Sequence, residues 1–320
     1  MRALPRRPPP HHARACHPLA DYWHAASYGN CTEPPGNSGC ASVAIGACGF
    51  RTDHNVTLYT SPDLVTWTNA GVAFSAAGLL PPQSVLFAPK TVYNAGTKTW
   101  VMFFNYITQS FSNSYYGVAT SSSPAGPFKI VNLNVKLAFS DNGDENLFVD
   151  ADGTAYIIYT TLSKGHSMSI ERLSADYTTS TLVSSGVFGD SNVEAPSLFR
   201  RGGVYYAVFG SCCCYCGSGS PVSVYTAASV LGPFTKRGAL AAAEGAAAVP
   251  AFGSQSTDIF AYYDSKGEQQ LLYVGDHWQS APDRLKAHDF TVWGRLAFAA
   301  DGNVTTPGFE SQFTIDVGNT

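Results

Sequence analysis

A five-bladed, all-β propeller is the architecture this sequence predicts, and three observations predict it. Residues 87–105 (FAPKTVYNAGTKTWVMFFN), 144–159 (DENLFVDADGTAYIIY) and 194–210 (EAPSLFRRGGVYYAVFG) each read as a strand, a polar turn bearing Gly96, Gly153 or Gly203, and a second aromatic-rich strand. That is a hairpin pattern. The hairpins recur at a period of roughly 50 residues with strands only, and a blade of that length cannot bury its faces alone. An outer-strand signature also repeats, as YTSPDLVTW, VATSSSPAGPF and VYTAASVLGPF.

Along the chain, residues 1–20 (MRALPRRPPPHHARACHPLA) carry Arg, His and Pro with no apolar core, so they do not read as a secretory signal. We take them as a disordered or artefactual segment preceding one propeller domain over 21–320. Residues 21–50 open with an aromatic strand (DYWHAASYG) and run into a Cys/Pro/Gly loop. Residues 55–67 give a strand, a turn and a short outer strand, so the first blade lacks its innermost strand. Three blades follow from the hairpins above. A fourth hairpin at 259–275 (IFAYYDSKGEQQLLYVG) and closing strands at 290–304 supply the fifth. The alanine-rich stretch 240–250 is interrupted by Gly245 and closed by Pro250, and reads as a loop.

At 320 residues with 45% apolar content the chain can build a large core, and only 13% of it is charged. A net charge of −4 argues against nucleic acid or an anionic membrane as partner. No apolar run reaches bilayer-spanning length. Of the eight cysteines, Cys212, Cys213, Cys214 and Cys216 lack the separated pairs that zinc requires. Disulfides fit them better, with Cys31 and Cys40 bounding a short loop, and imply an oxidising compartment. Sequons at Asn30, Asn55 and Asn303 point the same way. An extracellular or secretory location is the expectation, although no signal peptide is visible.

Two carboxylates stand out. Counting back nine residues from the turn glycine gives Phe87, Asp144 and Glu194. Equal offsets in successive blades mean equal positions around the axis, so Asp144 and Glu194 should share one cavity. Paired carboxylates in a pocket are the usual equipment for cutting a glycosidic bond. Glu194 heads a strand at Ala195-Pro196, where partial desolvation suits a general acid. It could equally cap the strand or pair with Arg200 or Arg201. Asp144 would hold and tune such an acid by like-charge coupling, or could be a turn former, as Asp150 and Asp152 are expected to be. No nucleophile elbow, P-loop or dinucleotide fingerprint is present.

With these residues in view, the chain resembles family 43 of the glycoside hydrolases, five-bladed propellers that cleave arabinan-, xylan- and galactan-type glycosides with inversion. The matching stretches cover roughly 22–305: YTSPDLVTW, APKTVYNAGTKTWVMFFN, YGVATSSSPAGPF, DENLFVDADGTAYIIYT, ERLSADY, EAPSLFRRGGVYYAVFGS and GDHW…WGRLAF. SQSTDIF and GDHWQSAPD resemble the branch of exo-acting β-1,3-galactanases. The resemblance implies Glu194 as general acid and Asp144 as its pKa modulator. It implies Gln255, in SQST, as the group standing in for a base, since the base-bearing first strand of most members is not found. It implies Lys90, Asp276 and Trp278 as substrate-binding residues. Phe87-Ala88-Pro89-Lys90 departs from the branch's Glu-Arg-Pro-Lys, and Gly275-Asp276-His277-Trp278 from its Gly-Asp-Arg-Trp. An inverting, exo-acting monomer working on an oligo- or polysaccharide is therefore expected. No cofactor is expected beyond room for a structural cation in the axial channel. The runner-up is a non-catalytic carbohydrate-binding propeller, motivated by the missing base strand and the altered APK segment.

Overall fold

The computed structural model describes residues 20–25, 27, 50–108, 114–139, 142–211, 217–242, 250–306 and 310–318. Cys31, Cys40 and Cys212 to Cys216 lie outside them, as do residues 1–19 and 243–249, so the expected disulfides and most of the N-terminal segment and alanine-rich loop fall outside the described residues. At their edges Ala20 is a buried strand residue rather than part of a disordered segment, and Ala241–Ala242 pair as a strand rather than a loop.

Five antiparallel sheets follow one another in chain order. The first holds β1 (Ala20–Ala25), β2 (Asn55–Ser61) and β3 (Thr68–Ser75). The second holds β4 (Ser84–Asn94), β5 (Thr99–Thr108), β6 (Ser114–Ser121) and β7 (Lys129–Asn132). The third holds β8 (Asn142–Val149), β9 (Ala155–Thr161), β10 (Ser167–Leu173) and β11 (Ser180–Phe188). The fourth holds β12 (Val193–Arg201), β13 (Val204–Ser211), β14 (Val222–Ala227) and β15 (Thr235–Ala239). After the two-residue strand β16 (Ala241–Ala242) comes the fifth, with β17 (Gln255–Tyr263), β18 (Gln269–His277) and β19 (Phe290–Arg295). Short strands β20 (Ala297–Phe298) and β21 (Val304–Thr306) join β16 in a small sheet.

These sheets are the blades of a five-bladed propeller. The Ser-Pro turn that follows β2 corresponds to the one after β6, so β1 and β2 hold the second and third places of their blade. Among the described residues the first blade has three strands, and the stretch in which an innermost strand would precede them lies outside the described residues. The inner strands β4, β8, β12 and β17 adjoin one another in succession, and β1 adjoins β4.

The second strand of each blade explains its aromatic, near-continuous apolar sequence. Successive side chains on a strand face opposite ways, and here both faces are covered by a neighbouring blade. Met102 and Phe104 pack toward blade one with Val56 and Phe74, whereas Val101 and Phe103 pack toward blade three with Ile157 and Tyr159. Ile158 meets Ala207 and Phe209 of blade four, whose Tyr206 and Val208 meet Leu271 and Tyr273 of blade five. Each such side chain contributes about 1.5–3 kcal/mol on burial. The ring closes through Ala20, Leu64, Tyr262 and Leu272, with Trp67 and Trp293 partly buried beside them.

Candidate active site

Four inner strands carry a β-bulge near the same end. The register slips between Phe87 and Lys90, Asn142 and Glu145, Glu194 and Ser197, and Ser256 and Asp258. A bulge bends its strand and re-aims the side chains beside it. Ala88 and Ala195 take the left-handed conformation there, with φ of 44° and 54°. The re-aimed residues meet at a cavity of about 410 Å³, whose lining includes Lys90, Asp144, Glu145, Gln255, Asp276 and Trp278. Phe87 also lines it, edge-on to Phe50, and puts an apolar ring where the next blades present acids.

Asp144 lines the cavity, and Glu194, on the next inner strand, is linked to it through the main chain of Ala195 rather than by lining the same wall. The backbone N–H of Ala195 donates to Asp144 Oδ2 at 3.1 Å, tying one inner strand to the residue after Glu194 on the next. Burial raises the pKa of Asp144, opposed by that N–H and by the charges of His166 and Lys90. Glu194 is 8% exposed. Its Oε1 accepts a hydrogen bond from Gln255 Nε2 at 2.7 Å, and its Oε2 lies 3.7 Å from His166 Nε2. Arg200 pairs instead with Asp150 at 3.0 Å and Arg201 lies over Phe298, so the reading in which either arginine holds Glu194 fails. Asp150 is more than a solvated turn former, since it also accepts from the Tyr205 hydroxyl of the next blade.

Gln255 reaches the site, but not at the spacing an inverting base needs. Acid and base in such enzymes stand about 6.5–9.5 Å apart to leave room for a water, whereas Gln255 touches Glu194 directly. Its other end is occupied too, because Trp278 Nε1 donates to Gln255 Oε1 at 2.8 Å. Asp276 pairs with Gln255 across β17 and β18 and lines the same cavity. No described residue hydrogen-bonds its carboxylate, and burial pushes its pKa up to about 6 against the pull of Lys90 and Lys286.

Lys90 belongs to a layer that crosses the axis. Its Nζ donates to Thr257 O at 2.6 Å and lies 3.5 Å from Asp258 Oδ2. Asn146 Nδ2 reaches Asp258 Oδ1 at 2.9 Å and Ser197 Oγ at 3.1 Å, so blades two to five are stitched together there. Lys90 thus supplies a fixed positive charge to the acidic cavity, besides lining it. Among the described residues no three His, Cys, Asp or Glu side chains are grouped to hold a metal ion.

Sequence reasoning missed three residues. Glu145 is 2% exposed with both carboxyl oxygens unpartnered, and burial together with Asp144 holds its pKa well above the usual range. His166 sits at the entry to β10 with φ of 53°, where only its tertiary contacts mark it. Lys286 is 2% exposed, with its Nζ 4.1 Å from the centre of the Trp278 ring. A lysine two residues from a histidine in a loop gives no hint of such burial.

Comparison with known proteins gives a consistent picture. The family model for glycosyl hydrolases family 43 matches residues 46–281. Among solved structures, the chain is similar to a GH43 β-1,3-galactosidase with galactodeoxynojirimycin, at 23% identity and a TM-score of 0.71, covering 83% of this chain and 89% of that one. An exo-β-1,3-galactanase from Clostridium thermocellum aligns at 24% identity and a TM-score of 0.67, over 80% of this chain and 57% of its own. One from Phanerochaete chrysosporium, solved with galactose, aligns at 25% identity and a TM-score of 0.64, over 79% and 56%. This chain therefore spans little more than half the length of those two galactanases. No curated protein matches it in a sequence comparison.

Proposed function

The chain belongs to glycosyl hydrolase family 43 and is an O-glycosyl hydrolase, and on that premise we propose that it removes terminal sugars from a galactan-type polysaccharide by an inverting, exo-acting mechanism. The observation that carries the reading is a cavity lined by Asp144, Gln255 and Asp276, with Glu194 hydrogen-bonded to Gln255 at its wall and its neighbour Ala195 bonded to Asp144. The β-1,3-galactan preference draws its support from the solved galactanases to which the fold is similar.

In this scheme Glu194 gives its proton to the glycosidic oxygen as the bond to the anomeric carbon breaks. A water attacks that carbon from the opposite ring face and loses a proton to a carboxylate. Asp276 suits that step better than a neutral Gln255 amide, because a carboxylate is a far stronger base than an amide oxygen. A carboxylate with a pKa of about 6 is ionised at neutral pH and is a stronger base than an ordinary one. Asp144, fixed by Ala195 N–H, keeps negative charge beside the acid and favours its protonated form. The cysteines and the sequons at Asn55 and Asn303 support action outside the cell.

The test is a product analysis. The purified chain should release galactose from β-1,3-galactan with the α-anomer appearing first by proton NMR, and should release little from arabinan or xylan. Internal cleavage products, or the β-anomer as first product, would reject the exo-acting inverting reading.

A further inference from the structure

The hydrogen bonds around Gln255 have only one direction. An indole N–H can donate but never accept, so the atom that Trp278 Nε1 touches must be the amide oxygen of Gln255. The amide nitrogen then faces Glu194 Oε1 and donates to it. In a protonated carboxyl the carbonyl oxygen is the better acceptor, so the oxygen facing the amide N–H is preferred as the unprotonated one. The acidic proton of Glu194 is therefore assigned to Oε2.

Trp278 is itself held from both sides. The loop that follows it is clamped by Asp289, whose carboxylate accepts from the backbone N–H groups of Gln279, Ser280 and Ala281 at 3.0, 2.9 and 3.0 Å. That loop leads into the 3-10 turn Lys286–His288, which returns a buried ammonium to the face of the indole ring. A cation over an aromatic face is attracted by the ring's quadrupole, and a buried donor chain strengthens each bond in turn.

We propose that Lys286 and Trp278 are positioning residues that lock Gln255, and through it aim the proton-bearing oxygen of Glu194 at the leaving group. The inference rests on Glu194 being the general acid. Trp278, expected to contact sugar, thereby acts through another residue, and Gln255 orients the acid. The wire crosses from a loop after β18 to β17 and then to β12, so it couples the fourth and fifth blades at the point of proton transfer.

The test compares two substrates: β-1,3-galactobiose, whose leaving sugar needs protonation, and 2,4-dinitrophenyl β-galactoside, whose leaving group does not. Variants Trp278→Phe, Lys286→Met and Lys286→Arg are assayed beside Glu194→Gln, with folding checked by thermal unfolding. We expect Trp278→Phe and Lys286→Met to lose about 10- to 100-fold in kcat on the disaccharide, a part of the roughly 10²–10⁴-fold that acid catalysis supplies. On the dinitrophenyl glycoside they should keep kcat within about threefold, and Lys286→Arg should restore most of the loss, since the cation over the ring is retained. Equal losses on both substrates in Trp278→Phe and Lys286→Met, with a selective loss in Glu194→Gln, would overturn the inference alone. Equal losses in Glu194→Gln as well would remove Glu194 as the acid and this inference with it. Because Lys286→Met keeps the indole in place, a Trp278→Phe chain that fails to fold still leaves a decisive comparison.

Discussion

Asp144 accepts a hydrogen bond from the backbone of Ala195, the residue after Glu194, so the acid pair is joined through the main chain and not only across open space. The bulged conformation of Ala195 turns its N–H toward the neighbouring blade. Any shift of β12 against β8 would therefore stretch this bond, so the bond holds the two carboxylates in a fixed relation.

Asp144→Asn should separate charge from geometry. The amide keeps an oxygen for Ala195 N–H but removes the negative charge beside Glu194. We expect kcat on β-1,3-galactan to fall by about 10²-fold with little change in KM. Without the like charge the acid gives up its proton more readily, so the alkaline limb of the pH–rate profile should move to lower pH. An unmoved limb would deny Asp144 its electrostatic part.

Asp276 governs the opposite limb. A base with a pKa of about 6 must be ionised to act, so kcat/KM should decline as the pH falls through that value. Asp276→Asn should lose about 10³-fold or more of kcat. Added azide should restore turnover by supplying a nucleophile that needs no deprotonation, with a glycosyl azide as product. Wild-type-like turnover in Asp276→Asn would return the role to another group.

Glu145 offers a stability test independent of catalysis. Its two carboxyl oxygens are buried without partners, and the folded chain holds its proton to a pH well above that at which an unfolded glutamate releases it. The folded state binds the extra proton, so this group's contribution is greatest at low pH and is lost as the pH rises. Glu145→Met should therefore stabilise the chain by about 1–3 kcal/mol at pH 7, with the gain closing toward pH 4. Urea unfolding at several pH values measures it, and a variant less stable than the parent at pH 7 would show that Glu145 has a partner after all.

The blades were legible because hairpins and apolar second strands are local patterns, and the acid pair was legible because both residues head such hairpins. Gln255 was hidden from the repeat. The glycine count assumes equal turns, yet the link from Arg201 to Val204 is short while those from Val149 to Ala155 and Tyr263 to Gln269 are longer. Measured from the last paired residue of its strand, Gln255 falls close to the level of Glu194. Resemblance led to the residue, and its hydrogen bonds to Trp278 and Glu194 place it beside the acid. Lys286 and His166 were beyond reach for another reason: their burial and partners arise from contacts between blades and loops distant in sequence.

The decisive measurement is the rate of galactose release from β-1,3-galactan by Glu194→Ala, at a concentration of folded protein matched to the parent by circular dichroism. We expect the rate to fall by about 10³-fold or more while the unfolding temperature stays near that of the parent. Release within about threefold of the parent rate would contradict the assignment of Glu194 as the acid, and with it the reading of this cavity as the place where the glycosidic bond is cut.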